Sequence, residues 1–210
     1  MYQNDPQKVL TKEIRLSYTH LSQPYASPTQ PNAIPKYSAA LLIPKSDTAM
    51  VEDIRSSIRA AAQAAMAKVW GGIMLPDVSL FSIMHDGDGV NNSGKPYGPE
   101  AKGCWVINAA SQQKPQVVHI SNVSAELAPQ DVYSGMYARV TMRFYGTNKG
   151  GNKMCCGLGN VMKTRDGEPL GSGSASAASD FAGLEDSAAG FATQGAPSAV
   201  QINPLTGLPM

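Results

Sequence analysis

Cysteine is scarce in this chain and poorly placed for cross-linking. The 210 residues hold three, Cys104, Cys155 and Cys156, two of them adjacent. An odd count with a neighbouring pair makes neither a disulfide framework nor a zinc site. Small buried side chains in a reducing compartment are the expected role, and in a strand Cys155 and Cys156 would face opposite ways. No apolar run approaches the roughly 18 residues of a membrane-spanning helix. The start, Met1-Tyr-Gln-Asn-Asp-Pro6, lacks the apolar core of a signal peptide, so a cytoplasmic location is expected. The three histidines, His20, His85 and His119, have no ligand-like spacing. There is no phosphate-binding Gly-Lys-Ser/Thr loop and no Gly-x-Ser-x-Gly elbow. His85-Asp-Gly-Asp88 resembles a cation loop only superficially. A calcium loop counted from Asp86 wants an oxygen ligand where Val90 stands and a glutamate where Tyr97 stands. A turn with solvated carboxylates is the expectation there. No reactive constellation is found, and neither an enzyme nor a cofactor or metal is expected.

A further absence is local. Residues 132–165 contain no acidic side chain but six basic ones, Arg139, Arg143, Lys149, Lys153, Lys163 and Arg165. Within this stretch Tyr137-Ala-Arg-Val-Thr-Met-Arg-Phe-Tyr145 alternates strictly. Side chains on a strand point to opposite faces with period two. Ala138, Val140, Met142 and Phe144 therefore form a core face. Tyr137, Arg139, Thr141, Arg143 and Tyr145 form the other face, where rings alternate with guanidinium groups. That combination suits a flexible polyanion with exposed bases, since phosphates attract positive charge and unpaired bases stack on flat rings.

The rest of the body reads as strands around one helix. Residues 11–18 alternate, with Ile14, Leu16 and Tyr18 assigned to one face. A Pro-rich loop is expected over 22–35, and a strand over 37–43 closed by Pro44. Residues 47–70 form the clearest helix. Ser46 or Asp47 can cap it, and Val51, Ile54, Ile58, Ala61, Ala65 and Val69 repeat at helical spacing. Gly71-Gly72 ends it. Residues 87–103 read as a long loop, and 105–109 and 116–120 as short strands. Trp105 and Tyr37 share faces with apolar neighbours and are expected in the core. Lys114 is expected in a loop. The strands 132–145 and 153–163 are joined by the turn-rich residues 146–152, which predicts a β-hairpin. From Gly171 the composition turns to Gly, Ser, Ala, Pro and Thr. Residues 171–210 carry Asp180, Glu185 and Asp186 and no basic residue, a charge of −3 against +4 for residues 1–170. Such a segment buries too little apolar surface to offset chain entropy. The expected division is a binding domain over 1–170 and a disordered tail over 171–210, with 179–186 as a small interaction segment.

Several segments occur in a recognisable order. They are Arg15-Leu-Ser-Tyr18, Tyr37-Ser-Ala-Ala-Leu-Leu-Ile-Pro-Lys45, Asp86-Gly-Asp88, Gly103-Cys-Trp-Val-Ile-Asn-Ala109 and Tyr133-Ser-Gly-Met-Tyr137. Asn148-Lys-Gly-Gly-Asn-Lys153 and Gly157-Leu-Gly-Asn-Val-Met-Lys163, running into Arg165-Asp-Gly-Glu-Pro-Leu170, follow. Over about residues 10–170 the chain resembles a family of bacteriophage single-stranded DNA-binding proteins, once known only as a domain of unknown function. The resemblance implies a mainly β protein with one principal helix, built as an OB-fold Greek-key barrel. It implies a protein that coats single-stranded DNA with little sequence preference during replication, recombination and repair. Its motifs place Tyr137, Lys149, Lys153, Lys163 and Arg165 at the DNA, and the alternation adds Arg139, Arg143 and Tyr145. It also implies phage replication or recombination proteins as partners of the tail. Many single-strand binders end in a strongly acidic tip with a terminal aromatic residue. This chain departs from that pattern, ending Asn203-Pro-Leu-Thr-Gly-Leu-Pro-Met210. Two alternatives stand beside this reading: a phage structural or assembly β-barrel, and an RNA-binding barrel of the same fold.

Overall fold

Three strands open the chain, β1 (Lys8–Leu10), β2 (Ile14–Tyr25) and β3 (Lys36–Pro44), followed by the principal helix α1 (Thr48–Lys68). A short helix α2 (Asp77–Leu80) and a two-residue strand β4 (His85–Asp86) lead to β5 (Cys104–Ser111), β6 (Val117–His119) and β7 (Asn122–Glu126). The long strands β8 (Tyr137–Thr147) and β9 (Lys153–Arg165) complete the order. The computed structural model describes residues 2–26, 33–91 and 93–170. The expected tail, 171–210, with its segment 179–186, lies outside the described residues.

Five strands form a closed circuit. β2 pairs antiparallel with β3, β3 with β5, β9 with β8, and β8 with β2. β5 and β9 run parallel and are joined by one residue pair, Ala110 with Gly157. Counted in chain order, this is the 1-2-3-5-4 circuit of a partly open Greek-key barrel, the OB arrangement. β1 pairs with β8 outside the circuit, and β6 and β7 extend the sheet from β9.

The alternation in β8 is realised as expected. Ala138, Val140, Met142 and Phe144 are fully buried, while Tyr137 to Tyr145 at odd positions face outward. Each large apolar side chain so buried contributes about 1.5–3 kcal/mol. The predicted hairpin forms, with Thr147 opposite Lys153. Cys156 is buried and its neighbour Cys155 half-buried on the opposite face, and all three cysteines are free. Burial pushes the Cys156 thiol pKa well above its ordinary value.

Helix α1 packs on β8 and β1. Asp47 caps it, its carboxylate accepting from the Met50 amide at 3.1 Å. Ile54, Ile58, Ala61 and Ala65 are buried as predicted. Val69 is not, because the helix ends at Lys68 and the 3.6-residue period ends with it. Trp70 takes its place in the core, its indole N–H donating to the Thr147 carbonyl at 3.0 Å. The Ala-rich stripe lets helix and strand approach closely. A Cβ on Gly146 would lie 2.3 Å from that of Ala65.

Three local readings need correction. Tyr18 is 70% exposed and does not share the buried face of Ile14 and Leu16. Ser17 pairs with Ala40 and His20 with Ser38, so β2 holds an extra residue there. That bulge turns Tyr18 to the outer face, with φ at 47°. Second, β2 continues to Tyr25, so the loop after it begins later than Ser22. Third, β7 was not anticipated: Asn122-Val-Ser-Ala-Glu126 alternates polar and apolar residues over only five positions, and all five are exposed.

Candidate nucleic-acid interface

The eight residues singled out from the sequence separate into two groups along β8 and β9. Tyr137 and Tyr145 stand eight residues apart, about 26 Å along an extended strand. At the Tyr145 end the hairpin carries Lys149 and Lys153. At the Tyr137 end lie Arg139, Lys163 and Arg165.

The Tyr137 end is occupied by intramolecular contacts. The Arg165 guanidinium lies 3.4 Å from the Tyr137 ring centroid and its Nε donates to Glu13 at 3.0 Å. A hydrogen bond from Thr164, then the one from Arg165, holds the Glu13 carboxyl pKa below its ordinary value. Arg139 donates through Nε to the Thr11 carbonyl at 3.1 Å. Lys163 is only 5% exposed. Its ammonium donates to the Asp131 carbonyl at 2.9 Å, pairs with Asp166 at 2.8 Å and sits 4.9 Å from the Tyr133 ring centroid. The absence of acidic residues from 132–165 therefore does not leave these cations unpaired. Asp5, Glu13 and Asp166 come from outside the stretch, Asp5 meeting Arg143 at 3.1 Å.

Lys163 points inward because β9 changes face partway along. Met142 lies opposite Leu158 but Val140 lies opposite Val161, so β9 carries one more residue than its partner. A one-residue bulge exchanges the faces beyond it. Thr141 pins this bulge, its hydroxyl accepting from the Asn160 amide at 2.8 Å. A Cβ on Gly159 would lie 2.3 Å from that hydroxyl oxygen, so the bulge needs a glycine.

The Tyr145 end differs. Tyr145, Lys149, Lys153, Cys155 and Gly157 line an open groove of about 640 Å³ with Lys36, Ala110 and Ser111 across from them. Among the described residues no carboxylate lines it. Lys36, Lys149 and Lys153 are exposed and form no ion pair among the described residues. Tyr145 is 45% exposed, and burial of the rest of its ring, followed by the nearby Cys155 thiol, raises its pKa. Arg143 borders the same tyrosine from the β1 side, where it donates to Gln7 at 3.1 Å. The groove is walled by Lys36 at the start of β3, the end of β5 and residues Tyr145 to Gly157 of the β8–β9 hairpin. The hairpin turn is the fourth-to-fifth connection of the barrel, one of the loops with which OB barrels hold oligonucleotides and oligosaccharides.

Sequence reading missed Lys36, an isolated lysine before an apolar strand whose place on the groove depends on the β3–β5 register. It also missed the exposed aromatics of β2, Tyr18 and Tyr25, the latter stacked on His20 with ring centroids 4.4 Å apart. The carboxylates of the His85–Asp88 turn are paired rather than free. Lys45 bridges Asp86 and Asp88 at 2.5 and 2.6 Å, which holds both carboxyl pKa values down. Trp105 packs against the core with Lys45 over its ring, and Lys114 pairs with Glu126 at 3.0 Å. Among the described residues no group of three or more His, Cys, Asp and Glu is placed to hold a metal ion. No described helix is long and apolar enough to cross a membrane.

Comparison with known proteins gives a concordant result. Residues 7–191 match the family described as Enterobacter phage Enc34, ssDNA-binding protein. A solved structure of the single-stranded DNA-binding protein from bacteriophage Enc34 in complex with ssDNA is similar at 28% identity and TM-score 0.65. That match covers 79% of this chain and 90% of the other. A structure of the same Enc34 protein without the complex matches at 26% identity and TM-score 0.63, over 83% and 90%. Protein p50 of Acyrthosiphon pisum secondary endosymbiont phage 1 is 28% identical over 183 residues, 83% of this chain and 92% of p50.

Proposed function

The chain belongs to the Enc34 phage ssDNA-binding protein family, and on that premise we propose that it binds single-stranded DNA through the groove between Lys36 and the β8–β9 hairpin. The observation that carries this reading is the set of three lysines, without an ion pair among the described residues, around one half-exposed tyrosine, beside the fourth-to-fifth loop with which barrels of this fold take oligonucleotides. Phosphates run past Lys36, Lys149 and Lys153, and a base stacks on Tyr145. Arg143, beside Tyr145, is a secondary contact. Tyr137, Arg139, Lys163 and Arg165 support the barrel wall: Arg165 sits over the Tyr137 ring and donates to Glu13, and Arg139 and Lys163 donate to backbone carbonyls. The protein acts by covering DNA in the host cytoplasm during replication, recombination and repair, without catalysis of its own. Residues 1–170 carry the binding activity, and the residues after them serve as a tail for phage replication or recombination partners.

The test is titration of fluorescent single-stranded DNA, duplex DNA and RNA of equal length at several salt concentrations. Single-stranded DNA is expected to bind best. On single strands the log–log salt slope is about −0.7 per neutralised phosphate, so three groove lysines give roughly −2. A preference for RNA would make this an RNA-binding barrel, and no binding to any of the three would leave a structural role.

A further inference from the structure

The outer face of β3 and β5 continues beyond the lysine groove into a second, smaller cleft of about 190 Å³. Its floor is apolar, made by Ala40, Leu42 and Val106. Tyr18, Tyr97 and the Glu100 carboxylate stand at its walls, and Asn108 of β5 lines it as well. The exposed Asn108 amide has no hydrogen-bond partner among the described residues.

Tyr18 is the unusual member. A bulky residue with φ at 47° is strained, and such strain persists where surrounding structure enforces it, as at active sites, ligand clamps and switch regions. Here the enforcement is visible. The Thr19 amide next to it donates to the Ser134 hydroxyl at 2.9 Å, which holds the bulge in place. The strain does not serve packing, because the ring it redirects is left 70% exposed. What the bulge achieves is to move an aromatic ring from the core side of β2 to the rim of an apolar cleft.

We propose that this cleft is a nucleobase subsite. One unstacked base of the bound strand inserts between Tyr18 and Tyr97 over Ala40, Leu42 and Val106, and Asn108 hydrogen-bonds its edge. The inference rests on the single-stranded DNA reading above and adds to it a base-holding position separate from the phosphate-holding lysines. A flat ring against flat walls explains why the cleft is apolar below and carries an amide at its edge. It also implies that a strand lacking bases loses affinity at this end of the face while keeping its phosphate contacts.

The experiment compares wild type, Tyr18→Ala, Tyr18→Phe and Asn108→Ala on a DNA single strand and on an abasic strand of the same length, at several salt concentrations. Tyr18→Ala should weaken binding to the base-bearing strand by roughly 5- to 100-fold, with the salt slope unchanged. Tyr18→Phe should retain most of the affinity, and the abasic strand should not distinguish Tyr18→Ala from wild type. Because Tyr18 is exposed, thermal melts should show all variants folded. If Tyr18→Ala binds the base-bearing strand as wild type does while Lys149→Ala and Lys153→Ala weaken it, the subsite is refuted and DNA binding stands. If wild type binds neither strand, both readings fall.

Discussion

The guanidinium of Arg165 lies over the Tyr137 ring, 3.4 Å from its centroid, while the same side chain pairs with Glu13 from the start of the chain. This stacked pair turns two residues that look like ligand contacts into a clasp between β9, β8 and the segment before β2. Arg165→Ala is therefore expected to lower the thermal midpoint while leaving the salt slope of DNA binding unchanged. Differential scanning fluorimetry and a salt titration on one variant check both halves.

Lys163 gives the sharper contrast with the groove lysines. Removing its ammonium breaks two charge-assisted contacts, to the Asp131 carbonyl and to Asp166, made by a lysine that is itself buried. Lys163→Ala should cost about 1–3 kcal/mol of folding stability, measured by urea unfolding. The Lys149→Ala, Lys153→Ala double variant should cost almost none, yet should reduce the salt slope by about 1.4.

Tyr145→Ala should weaken single-strand binding by about 1–3 kcal/mol, the usual worth of one stacked base. Tyr145→Phe should restore it. Equal losses in both variants would mean that the hydroxyl rather than the ring makes the contact.

Helix α1 reaches β8 only because position 146 has no side chain. With a Cβ 2.3 Å from Ala65 and 2.5 Å from the Trp70 ring, Gly146→Ala must push the helix end outward. A loss of about 1–3 kcal/mol is expected. A red-shifted tryptophan emission would accompany it as Trp70 gains solvent.

Partial burial holds the His85 pKa below its ordinary value. A histidine of this kind takes up its proton more readily in the unfolded chain. Stability is then complete at neutral pH and declines as pH falls through the unfolded value of about 6.5, until the folded value is passed. Asp86 and Asp88 act in a lower window, since their depressed values mean stability is lost only below the usual carboxylate range. Urea melts at about pH 7.5 and about pH 5.5 should differ less for His85→Gln than for wild type.

The sequence was informative where a pattern is local. The period-two face of β8, the capped helix and the turn-rich hairpin each lie within one continuous segment, and each formed, though the helix stops at Lys68 and the strand starts at Tyr137 rather than at residue 132. What was hidden depends on register. Tyr18 sits in a one-residue bulge and Lys163 beyond another, and a bulge reverses every face after it without leaving a mark in composition. The partners of Arg143 and Arg165 lie more than a hundred positions away, so local charge counting could not find them. Lys36 joins Lys149 and Lys153 only through the pairing of β3 with β5 and the closure of the barrel.

The pair Ala110 and Gly157 is the one register contact that joins β5 to β9, and both residues lie on the wall of the lysine groove. The groove thus runs along the seam of the barrel, where backbone pairing is thinnest. A strand gripped by Lys36 on one bank and Lys153 on the other stitches that seam shut. Occupancy should therefore slow amide exchange along β5 and β9 more than elsewhere, and a long DNA strand would act as an external fastener for the fold that holds it.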